Sequence, residues 1–196
     1  MRPGRRFQGV QQSGRATYEV SVLLDHVDMD ESRIAGTLRI QGLSVDHPTL
    51  TTFFEGEIVG AKHSFITHHK HWGASEKTDV EHWTRFQAFK PIASFAATRQ
   101  KARAMQADEV PSAQSASSDC HLKLDHLFMR WKELHAIEEQ RRRILEGVSY
   151  EGFYYICLSL VTGHISGMYF HEASELYQQL SLKPVDASHF PAYEWR

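Results

Sequence analysis

The sequence predicts a mainly β protein, built as a single up-and-down barrel or curled sheet. Six segments alternate apolar and polar residues with the period of two that is typical of half-buried strands. Helical periodicity is confined to two short segments. The chain has 196 residues, of which 41% are hydrophobic and 23% charged, so we expect one domain with its own core.

The first three predicted strands lie in the N-terminal third of the chain. Residues 17–27 place apolar side chains at every second position, and residues 34–43 alternate in the same way. The polar stretch DMDESR lies between them and has the composition of a turn, so the two segments predict a hairpin. Pro48 precedes the third strand, residues 49–60, and fixes the backbone where that strand begins.

Three more strands are predicted further along the chain, at residues 126–134, 151–161 and 164–172. Only Thr162 and Gly163 separate the last two, which is typical of a tight hairpin. A small closed barrel of about eight strands can hold one ligand in its interior.

Two segments carry helical signals. Within residues 78–89 apolar side chains recur every three positions, at Val80, Trp83, Phe86 and Phe89. Asp79 is the predicted N-cap of this helix. Residues 172–180 predict a short second helix that packs Leu176 and Leu180.

The segment 96–125 differs in composition from the rest of the chain. It is rich in Ala, Gln, Ser, Lys and Arg and lacks aromatic residues, which indicates a long, flexible surface loop. This loop is too short to form a domain. We therefore expect a flexible N-terminus over residues 1–6 and a single barrel domain over residues 7–196.

The bulk properties argue against several classes of protein. The net charge of −2 provides no general attraction to nucleic acid or to an anionic membrane. Two cysteines, Cys120 and Cys157, do not make a disulfide framework and fit a reducing compartment. No apolar run reaches the roughly 18 residues of a transmembrane helix, and the basic start MRPGRRF lacks the apolar segment of a secretory signal. A cytoplasmic or nuclear protein is expected.

Catalytic motifs are weak. The chain has 13 histidines, and HHKH at 68–71 lies near His63 and His82, but their spacing is not that of a zinc site. A solvated loop is the favoured interpretation, with a metal site as the alternative. Phosphate-binding glycine loops, nucleophile elbows and Cys-X-X-Cys pairs do not occur. Cys157 lies in an apolar strand and is expected in the core. We expect neither catalytic activity nor a cofactor.

The segment FMRWKEL, residues 128–134, raises a question about one carboxylate. In a strand, Met129, Trp131 and Glu133 share a face, so Glu133 would point into the core with the two apolar residues. One interpretation ends the strand at Lys132 and leaves Glu133 in solvent. The other places the carboxylate at the mouth of a cavity, where a ligand cation pairs with it and Tyr154 assists.

Five segments resemble the vacuolar import and degradation family. They are FQGxQxS near the start, GLSVDHPTLTTFFEGEIV at 42–59, FMRWKE at 128–133, GFYYIC at 152–157 and YEWR at 193–196. The resemblance extends from about Phe7 to Arg196 and therefore covers nearly the whole chain. Because PTLTTFFEGEI and FMRWKE are long matches, the similarity is specific.

The resemblance implies both a fold and a role. Members of the family form an eight-stranded antiparallel β-barrel, lipocalin-like, with a ligand-binding interior and short helical insertions. They are substrate receptors of the glucose-induced-degradation, or CTLH-type, ubiquitin ligase, and bind the N-terminus of target proteins, preferably proline, in a deep tunnel. The targets, gluconeogenic enzymes for example, are then ubiquitinated and degraded by the proteasome. Cytoplasmic localisation is expected, with the nucleus and vesicles as further locations.

The resemblance also assigns roles to residues. Glu133 matches the acid that receives the peptide ammonium, and Tyr154 matches its hydroxyl partner. The residues matching backbone contacts and pocket walls are Gln11, Ser149, Leu43, Leu50, Thr52, Tyr150 and Tyr169. The C-terminal Tyr193, Glu194, Trp195 and Arg196 would dock on an armadillo-repeat scaffold subunit, and RING subunits would supply catalysis. LHAIE at 134–138 replaces a proline-containing loop, so the preference at the second and third peptide positions stays open.

Two other functions remain compatible with the pattern. A barrel of this kind could carry a small apolar molecule or a lipid. The histidine-rich turn could also belong to a metal-dependent enzyme, which would contain bound metal when purified.

Overall fold

The computed structural model describes residues 1–42, 49–93, 125–136, 152–172 and 177–185, and these residues form a closed barrel. Its eight strands are β1 Arg6–Ser13, β2 Ala16–Asp28, β3 Arg33–Gln41, β4 Thr49–Ile58, β5 His126–Ala136, β6 Phe153–Ser159, β7 Ile165–Phe170 and β8 Gln178–Pro184. Each strand pairs antiparallel with the next, and β1 closes the barrel by pairing with β8. The predicted eight-stranded antiparallel barrel is confirmed.

The six strands predicted from alternation correspond to β2 through β7, with shifts of a few residues at their ends. The predicted hairpin between β6 and β7 is present, but residues 160–164 connect the two strands instead of Thr162 and Gly163 alone. Gly163 has φ +72°, a conformation that favours glycine, and its N–H donates to the Ser159 carbonyl at 2.8 Å.

The helix predicted at 172–180 is wrong over its last residues, because Gln178–Pro184 form β8. Leu180 pairs with Gln11 of β1 and Gly167 of β7 and is buried in the barrel. Barrel closure therefore overrides the four-residue spacing of Leu176 and Leu180. Leu176 itself lies outside the described residues.

A segment of 35 residues, 59–93, crosses the outside of the barrel and is called the strap below. Its α-helix α1, Glu76–Trp83, is shorter than predicted. The N-cap is Ser75, which accepts a hydrogen bond from the Thr78 N–H, so the prediction of Asp79 as N-cap is wrong. Phe86 has extended backbone angles that end the predicted helix, and Gln87–Ile92 continue as a 3₁₀ helix.

The barrel interior is packed by alternate residues from all eight strands. Its fully buried members include Leu24, Ile34, Phe54, Met129, Trp131 and Ile156. The alternation of β2 through β5 predicted these inward faces.

A second core lies between the strap and the outer faces of β5 and β6. The strap contributes Trp83, Phe86, Phe89 and Ile92, and the two strands contribute Phe128, Phe153, Tyr155 and Cys157. Phe153 and Tyr155 of GFYYIC therefore lie on the outer face of β6, where the strap covers them. Cys157 is buried, as predicted. Of the four apolar residues that recur every three positions in 78–89, Trp83, Phe86 and Phe89 are buried, whereas Val80 is exposed.

Polar groups connect the strap to these two strands. Asp79 is fully buried and accepts hydrogen bonds from the Thr67 N–H, the Thr67 hydroxyl and the Tyr155 hydroxyl at 2.7 to 2.8 Å. Arg130, 1% exposed, donates to Glu57 at 3.0 Å and to the Ser64 carbonyl at 2.9 Å. These bonds hold the strap on the outer surface of β5 and β6.

The predicted loop at 96–125 lies outside the described residues except for Asp125, so it stays a prediction. No helix in the described ranges is both long enough and apolar enough to cross a membrane.

Candidate functional site

Glu133 lies on the inner wall of the barrel. Strand β5 continues to Ala136, and Glu133 is 3% exposed on the same face as Met129 and Trp131. The interpretation that left this carboxylate in solvent beyond the end of the strand is therefore wrong. A shift in the pairing of β4 with β5 leaves Leu134, the next residue, without a register partner and 45% exposed.

Among the described residues, one hydroxyl group donates a hydrogen bond to the buried Glu133 carboxyl group. The Thr52 hydroxyl donates to its Oε1 at 2.7 Å. Burial raises the pKa of Glu133 to about 8, against the lowering effects of the Thr52 hydrogen bond and the Lys132 charge. Within the described part of the chain, no Lys, Arg or His lies within ion-pair distance of it. A buried carboxyl group in this environment is either protonated or paired with a cation supplied by another molecule.

Tyr154 lies beside Glu133 on the neighbouring strand. Its hydroxyl donates to Oε1 of Gln11 at 2.9 Å, and Nε2 of Gln11 donates to Oε1 of Gln178 at 3.0 Å. Burial, together with the Glu133 charge, raises the pKa of Tyr154 well above 10, so the phenol stays a neutral donor. We expected this phenol to orient the carboxylate; in the structure Thr52 holds Glu133, and Tyr154 is bonded to Gln11.

These groups belong to a ring of polar side chains near one end of the barrel, where β3 joins β4 and β5 joins β6. Strands β4 through β8 and β1 each contribute one member. The ring, called the polar ring below, consists of Thr52, Glu133, Tyr154, Tyr169, Gln178 and Gln11. Tyr169 packs on Tyr154 with ring centroids 4.9 Å apart, and its hydroxyl accepts from the Gly152 N–H.

Below the polar ring the interior is apolar. Phe54 is the cross-strand partner of Glu133, and Trp131 precedes Glu133 by two residues on the same face. The two rings stack with centroids 4.7 Å apart and planes 21° from parallel. We call this pair the aromatic floor. Packed side chains fill the interior beneath it, which argues against the lipid-carrier alternative.

The structure brings together six of the residues that the resemblance assigned to the site. Glu133, Tyr154, Gln11, Thr52 and Tyr169 are in the polar ring, and Leu50 is buried two residues before Thr52. The other assigned residues, Leu43, Ser149, Tyr150, Tyr193, Glu194, Trp195 and Arg196, lie outside the described residues. Gln178 was not predicted, because its inward position depends on β8, which alternation did not reveal.

The histidine-rich turn is partly buried instead of fully solvated. Nε2 of His69 lies 2.6 Å from Oε1 of Glu57, and Nδ1 of His63 lies 3.3 Å from the same atom. Burial raises the pKa of Glu57, but bonding to His69 and Arg130 outweighs it, so the pKa is lowered overall. Among the described residues, no group of three or more His, Cys, Asp or Glu side chains could hold a metal ion. His68 remains exposed, as expected for a loop.

Comparisons with known proteins agree with this geometry. Residues 1–185 match the family model described as vacuolar import and degradation protein. A Mus musculus protein named glucose-induced degradation protein 4 homolog is 39% identical over 193 residues, covering 98% of this chain and 81% of that protein. Two proteins named GID complex substrate-recognition subunit 4 are also similar. The Schizosaccharomyces pombe protein is 33% identical, covering 100% of this chain and 97% of its own length. The Saccharomyces cerevisiae protein is 30% identical, covering 94% and 62%.

Proposed function

The chain belongs to the vacuolar import and degradation protein family, and from this we propose that it is a substrate-recognition subunit of a GID-type ubiquitin ligase. It binds the free N-terminus of target proteins, preferably proline, and recruits them for ubiquitination. The chain itself is a receptor without catalytic activity, and partner RING subunits transfer ubiquitin. It acts in the cytoplasm.

The observation that carries the proposal is the environment of Glu133. A buried carboxylate that lacks a cationic partner is costly, so it is either protonated or paired with a cation supplied by a ligand. Every protein chain has one α-amino group, and an unblocked one is a compact cation at neutral pH. A carboxylate at the inner end of a narrow site selects that cation, because the body of the bound protein has to remain outside the barrel.

The rest of the polar ring suits the peptide backbone that follows the ammonium. Gln11 and Gln178 carry amide groups with both donors and acceptors, and Tyr154 supplies a hydroxyl. Oε1 of Glu133 accepts a hydrogen bond from Thr52, and the same carboxylate would accept the ammonium of the peptide. A proline ammonium still has two N–H donors, and its ring is an apolar group that fits against the apolar interior below.

Isothermal titration calorimetry with a peptide that begins with proline tests the proposal. Glu133→Gln keeps the shape of the side chain but removes its charge, and an N-acetylated peptide removes the charge from the ligand. A charge-assisted hydrogen bond contributes about 1.5–3 kcal/mol, so each change is expected to weaken binding by about 10- to 150-fold.

The matched control is Glu55→Gln, which removes the same charge from an exposed position on the same barrel. It is expected to leave the affinity within about twofold of the wild type, because exposed charges contribute little. Equal affinity of the wild type, the Glu133→Gln variant and the acetylated peptide would refute the proposal.

The C-terminal residues Tyr193, Glu194, Trp195 and Arg196 complete the proposal. They dock on an armadillo-repeat scaffold subunit and so bring the bound target close to the RING subunits. The support for this part is the resemblance of YEWR to the end of other family members.

A further inference from the structure

We propose that a groove on the outer surface of the barrel binds an acidic, extended segment of another protein. The groove lies between strap residues 85–88 and the outward faces of β7 and β8, has a volume of about 1030 Å³, and is called the basic groove below. Tyr169 and Gln178 of the polar ring point inward from the same two strands. The two sites therefore lie on opposite sides of the barrel wall, and this inference does not rest on the proposed function.

The charge of the basic groove is one-sided. Of the described residues that line it, Arg85 and Lys183 are cationic, His126 and His164 become cationic on protonation, and none is Asp or Glu. Within the described ranges, neither Arg85 nor Lys183 forms an ion pair. The chain as a whole has a net charge of −2. This local excess of positive charge favours an anionic partner.

Tyr177 holds Arg85 in place at one end of the basic groove. The guanidinium carbon lies 3.3 Å from the centroid of the Tyr177 ring, so the cation covers the face of the ring. Tyr177 immediately precedes β8 and has φ +67°, which is strained for an aromatic residue. Stacking orders the guanidinium, while the N–H donors in its plane remain able to bind a carboxylate.

Lys183 lies near the other end of β8. It follows Tyr177 by six residues, which is about 20 Å at the strand rise of about 3.3 Å per residue. An extended peptide covers the same distance in about six residues. The geometry therefore predicts a ligand whose acidic residues are about six positions apart.

Between these two cations, hydroxyl and imidazole groups cross β7 and β8. Ser166 and Ser181 are cross-strand partners. Nε2 of His164 lies 3.1 Å from Oγ of Ser181, and its Nδ1 lies 3.5 Å from Oγ of Ser166. Hydroxyl and imidazole groups both donate and accept hydrogen bonds, as the N–H and C=O groups of a bound peptide require.

The basic groove fits a protein segment better than a nucleic acid. Phe86 is the one Phe, Tyr or Trp among the described residues that line it, and it is 5% exposed, so it provides little surface on which a base could stack. Two permanent cations also provide little attraction for a phosphate backbone, which nucleic-acid-binding proteins contact at many phosphates.

Fluorescence anisotropy with a dye-labelled, N-acetylated peptide tests the inference. The peptide has two glutamates at each end of a spacer of five Gly and Ser residues, and acetylation removes the ammonium that the polar ring is proposed to bind. Arg85→Glu and Lys183→Glu reverse the charge at the two ends of the groove. Arg39→Glu is the matched control, because Arg39 is exposed on β3, away from the groove. Thermal melting shows that each variant is folded.

The wild type and Arg39→Glu are expected to bind the acidic peptide with equal affinity. Each groove variant is expected to bind it at least about fivefold more weakly, because the reversal removes an attraction and adds a repulsion. A peptide with lysines in place of the glutamates is expected not to bind. A peptide that begins with proline is expected to bind both groove variants as tightly as the wild type, because its proposed site is inside the barrel.

Equal affinity of all four proteins for the acidic peptide, or no binding to the wild type at millimolar concentration, would overturn the inference. Tighter binding of a single-stranded oligonucleotide than of the acidic peptide would contradict the assignment to a protein segment. Sedimentation velocity tests for a second copy of the chain, and a dimer that Lys183→Glu dissociates would mean that the groove serves self-association instead. Loss of proline-peptide binding in the wild type contradicts the proposed function and not this inference.

Discussion

Replacing Glu133 by glutamine is predicted to change how the stability of the barrel depends on pH. Burial raises the pKa of Glu133 from 4.5 to about 8 in the folded chain. Below pH 4.5 both the folded and the unfolded chain carry this proton, and the group has no effect. As the pH rises from 4.5 to 8, the unfolded chain loses the proton and the folded chain keeps it, so the free energy of unfolding falls.

The size of the effect follows from the shift. A difference of one pKa unit corresponds to about 1.36 kcal/mol, so the change from 4.5 to about 8 removes about 5 kcal/mol between acid and alkaline pH. The glutamine side chain cannot ionise, and the Glu133→Gln variant does not lose this energy. Its stability relative to the wild type is therefore expected to rise by about 4 kcal/mol between pH 4.5 and pH 8.5, since the unfolded chain is already half ionised at pH 4.5.

Urea unfolding of the wild type and the variant at pH 4.5, 5.5, 6.5, 7.5 and 8.5 measures this difference. All other titrating groups are common to both proteins and cancel in the comparison. Glu55→Gln, at an exposed site, is the control and is expected to show a difference that is nearly independent of pH. A flat difference for Glu133→Gln would mean that the carboxylate is solvated or already paired, and would refute the account of the site.

Three further predictions concern the bound state, the strap and the C-terminus. At pH 6.5 the free Glu133 carboxyl is protonated, so binding of a proline peptide is expected to release close to one proton. Calorimetry in buffers of different ionisation enthalpy measures this release, and a value near zero contradicts the ion pair. Asp79→Asn leaves one of three donors without a strong acceptor, so it is expected to lower the free energy of unfolding by about 2 kcal/mol in denaturant titrations. The exposed Asp30→Asn is its control, and equal losses would show that the network is unimportant. Deletion of residues 193–196 is expected to abolish co-purification with the scaffold subunit while peptide affinity stays unchanged; retained co-purification would contradict it.

Alternation predicted strands β2 through β7 but missed β1 and β8. Strand β1 has the inner residues Phe7, Gly9 and Gln11, of which only Phe7 is a large apolar group. Strand β8 has two inward leucines, but Leu180 also fits a helical spacing with Leu176. Their identity as strands depends on pairing with each other across the whole length of the chain, which no local pattern contains.

Local alternation also predicted part of the candidate site. The parity of Glu133 with Met129 and Trp131 showed that an inward carboxylate was possible, but parity could not show that β5 continues past Lys132. The uninterrupted apolar run FYYIC was a signal that β6 is buried on both faces. The ion pair between the buried Arg130 and the partly buried Glu57 could not be predicted from the sequence, because both residue types usually lie in solvent.

Closure of the barrel by its first and last strands has a consequence for synthesis of the protein. The hydrogen bond from Gln11 to Gln178 joins residues 167 positions apart, and the two strands that carry them are neighbours. Until residues 178–184 have left the ribosome, the growing chain has two unpaired strand edges and an unfinished polar ring. The polar ring is therefore incomplete in a nascent or truncated chain, and pairings of such high contact order fold slowly. The proposed recognition of targets thus requires a barrel that has completed its own folding.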